Sequence, residues 1–296
     1  MELRVLNYFL AVAREENFTK AAKQLHVTQP TLSRQIAQLE EELGVKLFQR
    51  SNHNIILTED GMMLKRRAQE ILTLADRTKQ DFLRKEANLE GIIAIGSGEF
   101  LSTRILTDCM AAFRTQHPLV RYELYSGHGG SVRERLDRGL LDVGLMAEPV
   151  DIRKYEFVPM PIRERWGALV REDSALAQRA HITPEDLVGL PLVSATSDIA
   201  QSNIGAWLGQ ALERVEIIGK GNLLYNEALL ARSSQGAVIA IQLDCHYDGL
   251  KFIPFQPPLE NGTALAWKKE QMFSAATTAF LAFAKQYITG ISDDRK

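Results

Sequence analysis

The segment VTQPTLSRQIAQLEEELG, Val27 to Gly44, determines how the N-terminal part of the chain folds. Its apolar side chains recur at spacings of four, three and four residues and predict one buried helix face: Leu32, Ile36, Leu39 and Leu43. Thr28 is a suitable N-cap, Pro30 falls in the first turn where a missing N–H is tolerated, and Gly44 is a suitable end. A second short helix is predicted just before it, over Thr19–His26.

The polar side chains of this helix change along its axis. Its first two turns offer a set suited to contact with DNA, because Arg bonds guanine, Gln bonds adenine, and Ser and Thr bond bases or phosphates: Thr28, Gln29, Thr31, Ser33 and Arg34. Pro30 and Gln38 lie on the side of the helix opposite the apolar face and are further candidates for contact with DNA. The last turn carries Glu40, Glu41 and Glu42, which would repel phosphates. We therefore expect only the first half to contact DNA. Periodicity alone equally allows a pair of packed helices with a solvated polar face.

A small β-hairpin is predicted directly after the helix. In Val45–Gly61, two apolar runs flank a polar tip, Ser51–Asn54. Lys46 and Arg50, and the tip residue His53, are positioned to contact a sugar-phosphate backbone. A helix-turn-helix followed by such a wing is a DNA-binding arrangement in which the second helix enters the major groove.

These segments closely resemble the winged helix-turn-helix of LysR-type transcriptional regulators. The residues that carry the resemblance are Ala21, Ala22, Thr28, Gln29, Pro30, Leu32, Ser33, Leu39, Glu40, Leu47, Phe48, Arg50, Thr58 and Gly61. The resemblance implies that the helix with Gln29, Thr31, Ser33 and Arg34 contacts the groove and that Arg50 lies in the wing. His53 falls where the family varies. The resemblance covers the whole chain in length and element order, and it implies dimers of dimers.

A long helix is predicted after the wing, capped by Thr58 and with Glu59 and Asp60 favourably placed in its first turn. Small and apolar residues form a seam with a period near 3.5: Leu64, Ala68, Ile71, Ala75, Thr78 and Phe82. We expect Leu64, Ala68, Ile71, Ala75 and Phe82 to pair with a second subunit, since two-fold-related DNA half-sites need a dimer. The alternative is a core helix of the next domain. Gly91 and the polar run 84–88 favour the linker.

From residue 92 onward, strands alternate with helices, which predicts parallel sheets. The chain is expected to cross between two α/β lobes near 158–163 and again near 261–268. The resemblance implies a two-lobed effector domain like the type 2 periplasmic solute-binding proteins. The whole chain is thus predicted as α+β and multidomain, with a winged helix-turn-helix over 1–58, a linker and dimerisation helix over 59–90, and an effector domain over 91–296, whose lobe 1 covers about 91–160 and 268–296 and whose lobe 2 covers about 161–267.

Small polar residues follow three of the predicted strands. Open parallel sheets bind ligands at the carboxyl ends of their strands, and helix N-termini suit anionic or carbonyl groups. The candidates for contact with a small-molecule effector are Ser97, Gly98, Glu99, Gly127, His128, Thr196 and Ser197. Glu99 would repel a carboxylate or attract an amine. Ordinary turn chemistry is the alternative explanation for these Gly and Ser clusters.

The composition is that of an ordinary globular protein of 296 residues, with 45% hydrophobic and 24% charged residues. A net charge of -2 argues against non-specific nucleic-acid binding by the whole chain, although residues 1–86 hold 14 Lys and Arg against 12 Asp and Glu. The N-terminus has the spacing of an amphipathic helix and not of a signal peptide, and no apolar run approaches the ~20 residues of a membrane span. A cytoplasmic protein without a membrane partner is expected.

Other classes of protein fit the sequence less well. IGSGEFL, Ile95–Leu101, resembles a dinucleotide loop but has Leu where the third glycine belongs. Cys245 and His246 lack further metal ligands at useful spacing. A thiol sensor using Cys109 and Cys245 stays open, although Cys109 is expected in a core. We predict a transcriptional regulator and not an enzyme, with no cofactor and no metal. Its partners are double-stranded DNA, itself as a homodimer or homotetramer, a small-molecule effector and, as a candidate, RNA polymerase.

Overall fold

The computed structural model describes residues 1–51, 54–82 and 89–293. The chain forms two compact units, Met1–Lys85 and Glu86–Lys296. In the N-terminal unit the elements are α1 (Leu3–Glu15), α2 (Phe18–Gln24), α3 (Gln29–Leu43), β1 (Phe48–Ser51), β2 (Asn54–Leu57) and α4 (Glu59–Phe82). The strands β1 and β2 pair antiparallel as the predicted hairpin.

The helix α3 is capped as its sequence predicts. Thr28 Oγ1 accepts a hydrogen bond from Thr31 N at 3.4 Å, and Gly44 adopts the left-handed conformation with φ 71°. Leu32, Ile36 and Leu39 are buried in the core of this unit.

The prediction that Leu43 is buried is wrong, because its side chain is 39% exposed. The apolar period continues to Leu43, but the helix ends there, and the core takes in Leu47 from the following segment, which is 1% exposed. Periodicity gives the direction of a side chain and not the extent of the core that it faces.

The first half of α4 packs on its own unit. Thr58 Oγ1 accepts a hydrogen bond from Gly61 N at 3.0 Å and so caps the helix. Ala68 is fully buried in the N-terminal core, and Leu64 and Ile71 pack against that core. Three residues of the predicted dimer seam thus have partners within the unit, because the helix lies along α1.

The second half of α4 is more open. Ala75 is half-buried and its neighbour Leu74 is 45% exposed. The backbone of Phe82 ends the helix, but its side chain is not among the described ones, and the polar run 84–88 lies outside the described residues.

The second unit contains alternating strands and helices. They are β3 (Gly91–Ser97), α5 (Thr103–Gln116), β4 (Val120–Ser126), α6 (Gly129–Asp137), β5 (Val143–Ala147), β6 (Tyr155–Arg171), β7 (Pro191–Ala195), α7 (Asp198–Leu208), β8 (Glu216–Gly221), α8 (Leu224–Ser234), β9 (Ala237–Ile241), β10 (Leu250–Pro254), β11 (Glu260–Lys268) and α9 (Ala275–Asp293). Short 3₁₀ turns cover Ala175–Gln178, Pro184–Leu187 and Gly209–Arg214.

The strands of this unit form one sheet with the order β4-β3-β5-β11-β6-β9-β7-β8, and β10 pairs with β6. At one end β3 is parallel to β4 and β5, and at the other end β7 is parallel to β8 and β9. The two long strands β6 and β11 pair antiparallel and connect the two parallel groups. Each parallel group has its own apolar core, and these two halves are the two lobes of the effector unit.

No helix in the described part of the chain is both long enough and apolar enough to cross a bilayer.

Candidate DNA-binding surface and candidate effector cleft

The first half of α3 presents the predicted DNA contacts to solvent. Thr31 and Ser33 are half-buried. The other five residues are exposed: Thr28, Gln29, Pro30, Arg34 and Gln38. The hydroxyls of Thr28 and Thr31 lie 2.8 Å apart, and Gln35 Nε2 donates to Gln38 Oε1 at 2.9 Å. The Arg34 side chain has no hydrogen bond or ion pair to the described residues, so its guanidinium is available to a base or phosphate.

The wing is described only in part. In β1, Arg50 lies opposite Ile55 of β2, and Ser51 lies opposite Asn54. The side chain of Arg50 is not among the described ones, and the predicted contact His53 lies outside the described residues.

Glu40 does not have the role that its sequence position predicts. It is one of the three glutamates expected to repel phosphates, yet it is 9% exposed. Its Oε1 accepts hydrogen bonds from Leu47 N at 2.9 Å and Phe48 N at 3.3 Å, and its Oε2 accepts one from Lys46 Nζ at 2.7 Å. Burial alone would raise the pKa of Glu40, but these hydrogen bonds hold the pKa below its ordinary value.

The partners of Glu40 join α3 to the start of the wing. The carboxylate holds the backbone at Leu47 and Phe48, which lead into β1. Glu41 and Glu42, in contrast, are exposed. Glu40 therefore orients the wing, and Lys46, expected to contact phosphate, has an internal partner.

A cavity of about 220 Å³ lies between the two lobes of the second unit, at the carboxyl ends of the parallel strands. Six of the seven predicted effector residues line it: Gly98, Glu99, Gly127, His128, Thr196 and Ser197. Ser97 lines a neighbouring cavity instead, and its Oγ donates to the carbonyl of Gly98 at 2.6 Å. The volume is below the ~300–1,000 Å³ of sites for drug-sized ligands, which suits a small metabolite.

The lobe 1 side of the cavity is formed by the start of α6. His128 is the N-cap residue, and its Nδ1 accepts a hydrogen bond from Ser131 N at 3.4 Å. The imidazole is thereby oriented with Nδ1 as acceptor. Gly129, Gly130 and Arg133 also line the cavity. The first N–H groups of α6 and the Arg133 guanidinium supply positive charge to this wall.

The lobe 2 side is formed by the start of α7. Thr196 N donates to the carbonyl of Gly221 at 2.8 Å. Thr196 Oγ1 is buried and has no hydrogen-bond partner among the described residues. Ser197 is the N-cap residue of α7, and its side chain makes no capping hydrogen bond. A buried hydroxyl without a partner is costly unless a ligand or water completes it.

Two carboxylates line the same cavity. Glu99 follows β3, and its Oε2 accepts a hydrogen bond from Leu224 N, the first residue of α8, at 2.6 Å. Glu227, in the first turn of α8, is 7% exposed. Burial, and next the negative charge of Glu99, raise the pKa of Glu227 to about 7.

The sequence did not indicate Glu227 or Arg133 as cleft residues. Each lies in a helix that follows a glycine-containing turn after a strand, Arg133 after Gly127–Gly130 and Glu227 after Gly221. The predicted ligand contacts follow β3, β4 and β7, whereas Glu227 follows the end of β8, which is parallel to β7. Treating β8 in the same way would have found Glu227.

The two cysteines are far from equivalent. Cys109 is fully buried in the core of lobe 1, and burial raises the pKa of its thiol to about 12. Cys245 is free and exposed. Because the thiolate is the reactive form, burial makes Cys109 the less reactive of the two thiols.

The fold and the two surfaces define a class of protein. An N-terminal unit presents a winged helix-turn-helix, and a C-terminal unit holds a polar cleft between two α/β lobes. Such a chain is a DNA-binding protein that responds to a small ligand.

Comparisons with known proteins give the family. Residues 3–62 match the model of the bacterial regulatory helix-turn-helix protein, lysR family, and residues 86–289 match the LysR substrate binding domain. The Hca operon transcriptional activator HcaR of Escherichia coli (strain K12) is 30% identical, over 99% of this chain and 100% of its own length. The chain belongs to the LysR family of transcriptional regulators.

Solved structures have the same fold. The crystal structure of CbnR, a LysR family transcriptional regulator, has a TM-score of 0.75 at 21% identity and covers 97% of this chain and 99% of its own. Full-length CbnR complexed with target DNA has a TM-score of 0.71 at 22% identity, over 98% and 99% of the two chains. The protein is therefore a DNA-binding transcriptional regulator modulated by a small-molecule effector, and not an enzyme.

Proposed function

We propose that the first half of α3 contacts bases in the major groove, with Arg34 as the main specificity contact. Gln29, Thr31 and Ser33 complete the base-contacting set, and Thr28, Pro30 and Gln38 border it. Arg50 and His53 of the wing contact the backbone. The observation that carries the proposal is the exposed Arg34 guanidinium, which has no partner among the described residues. The buried position of Glu40 supports it, because the wing is then held to the same helix.

Footprinting of the full-length protein on the DNA upstream of its own gene tests this assignment. Arg34→Ala is expected to weaken specific binding by ~1–3 kcal/mol, or about 5- to 150-fold, and to relax the preference at one base pair. Arg4→Ala is the matched control, since Arg4 is an exposed arginine on α1. If Arg34→Ala keeps its sequence preference, α3 does not make the base contacts proposed for it.

We propose further that the effector lies in the cleft, in contact with Gly98, Glu99, Gly127, His128, Thr196 and Ser197. The unpartnered Oγ1 of Thr196, facing the cavity, is the observation that carries this proposal. An acidic or carbonyl group on the ligand would accept hydrogen bonds from the first N–H groups of α6, with the positive end of the helix favouring it. Ser97 supports the wall from outside the cavity, because its carbonyl accepts a hydrogen bond from Gly127 N at 3.0 Å.

Titration of a metabolite library against the DNA-bound protein tests the cleft. Any compound that changes the footprint is re-titrated against Thr196→Val and His128→Ala. Both variants are expected to bind the compound at least tenfold more weakly, because each removes a polar group from the cavity wall. Thr115→Val is the matched control, since this threonine lies on α5 and is not a lining residue. Unchanged affinity in both cleft variants rejects the assignment.

We propose that the active form is a homodimer or a pair of dimers. Ala75 and Phe82 are the C-terminal members of the predicted seam, and Leu74, next to Ala75 and 45% exposed, adds an apolar side chain to this part of α4. The outer strands of the sheet add exposed apolar residues, Leu124 on β4 and Ile218 on β8, which favour self-association. Light scattering coupled to gel filtration tests this. Leu74→Glu is expected to lower the measured mass, from tetramer to dimer or from dimer to monomer. Contact with RNA polymerase is a further proposal, tested by crosslinking at a bound promoter.

A further inference from the structure

Two acidic side chains line the effector cleft, and neither has a positively charged partner in the described part of the chain. Glu99 and Glu227 approach from different elements, the end of β3 and the first turn of α8. Neither side chain forms an ion pair with any described residue. The one permanently cationic side chain among the described lining residues is Arg133, on α6.

Glu227 has an unusual environment for a carboxylate. It is 7% exposed and lines the cavity, and it has no hydrogen bond to any described residue. Buried carboxylates are normally paired, and one that is not is unfavourable. The Glu227 side chain fits only because residue 221 has no side chain. A Cβ added at Gly221 would lie 2.3 Å from Glu227 Oε1. Glycine at 221 therefore leaves the room that the carboxylate occupies.

Glu99 shares the negative charge at this wall. One of its oxygens accepts the hydrogen bond from Leu224 N, which leaves the other without a donor among the described residues. The two carboxylates are close enough for the charge of Glu99 to act on Glu227. Like charges at such a distance repel, and a bound cation removes the repulsion.

We propose that the effector carries a positively charged amine, held by Glu99 and Glu227. This inference rests on the effector cleft proposed above and names its ligand class. A primary ammonium has three N–H donors, which suits two carboxylates that line the same cavity. Because the α6 wall presents N–H groups and Arg133, the same molecule also bears an acidic group. The effector is a small amino acid or a related zwitterion that fits a cavity of about 220 Å³.

Binding to the purified full-length protein tests the class directly. The probes are the common α-amino acids and the ω-amino acids of three to six carbons, each compared with the amine and the carboxylic acid of the same skeleton. Isothermal titration is expected to show that the best skeleton binds as the amino acid at least tenfold more tightly than as either fragment. The comparison keeps the carbon skeleton and removes one charged group at a time.

Variants of the two glutamates identify the residues involved. Glu227→Gln keeps the shape and removes the charge, and it is expected to weaken the amino acid at least tenfold while changing the acid-only probe less than twofold. Glu99→Gln is expected to act in the same direction and less strongly, because one oxygen is already used by Leu224 N. Glu216→Gln, exposed on β8, is the matched control.

Two results overturn the amine assignment: a panel in which no amine or amino acid binds, or binding of the best amino acid that Glu227→Gln leaves unchanged. The effector cleft itself is tested separately by Thr196→Val. If an acid-only compound changes the DNA footprint and loses this effect in Thr196→Val, the cleft holds the effector and the amine assignment is wrong. If Thr196→Val has no effect on any active compound, the cleft assignment fails as well.

Discussion

Glu40 in the N-terminal unit and Glu227 in the effector unit are both buried glutamates on helices, but their surroundings differ completely. Three donors complete the carboxylate of Glu40, and its pKa is lowered. Glu227 has no donor among the described residues, and its pKa is raised to about 7. A fully partnered buried charge maintains structure, whereas an unpartnered one at a cavity is typical of a ligand-binding site.

The largest expected effect is the loss of stability when Glu40 is replaced. Glu40→Ala leaves two N–H groups of the wing without acceptors, and the N-terminal unit is expected to lose about 4 kcal/mol of its free energy of unfolding. Urea unfolding followed by far-UV circular dichroism on the full-length chain measures it. Glu41→Ala, an exposed neighbour, is expected to change stability by less than ~0.5 kcal/mol. Equal effects of the two variants would mean that Glu40 does not hold the wing.

At Glu227, in contrast, the charged carboxylate is expected to destabilise the folded protein. Because the folded-state pKa of Glu227 is above its unfolded value of 4.5, the native state binds more protons between about pH 4.5 and 7. Its contribution to stability is present below this window and is lost as the pH rises through it, by at most roughly 3 kcal/mol. The charged groups that act on Glu227 include Glu99, and the phenol of Tyr247 lies close enough to be affected by both.

Glu227→Gln removes this titration and is therefore expected to stabilise the ligand-free protein at pH 8 by about 2 kcal/mol. Thermal unfolding of the variant and the parent from pH 5 to 8 measures the effect, and the two curves should converge near pH 5. A parallel offset at every pH would show that packing, and not charge, separates them.

A smaller effect is expected at Gly221. Gly221→Ala places a methyl group where the Glu227 carboxylate lies, so that side chain must move. We expect a loss of about 1 kcal/mol in stability together with a weaker effector response. Gly205→Ala, where the nearest atom would lie at 3.7 Å, is the matched control for adding a methyl group. A normal effector response in Gly221→Ala would show that the position of Glu227 is not critical.

Local signals predicted much of the fold. The caps at Thr28 and Gly44 follow from residue type, and the alternation of strands and helices from residue 92 onward predicts the parallel strands at both ends of the sheet. The extent of β6 is not visible in the sequence pattern, because its first half mixes polar residues with Pro159 and Pro161. Its length becomes clear only from pairing with β11.

The errors at the sites have a different cause. The burial of Glu40 depends on backbone donors at Leu47 and Phe48, which sequence periodicity in α3 cannot show. Glu99 and Glu227 are 128 positions apart in the sequence and belong to different lobes, and the fold brings both to the same cavity. Strand ends predicted where a ligand would bind, but the charges facing it depend on tertiary structure.

The most direct test of the account is the footprint of Glu227→Gln, with and without the best-binding amino acid. In the absence of ligand, the variant is predicted to bind its operator as the parent does. When the ligand is added, the footprint of the variant is predicted to stay unchanged. The parent footprint should change on the same addition. A variant that responds at the parental ligand concentration would contradict the account, because the effector would then be sensed without the charge that the cleft leaves unpaired.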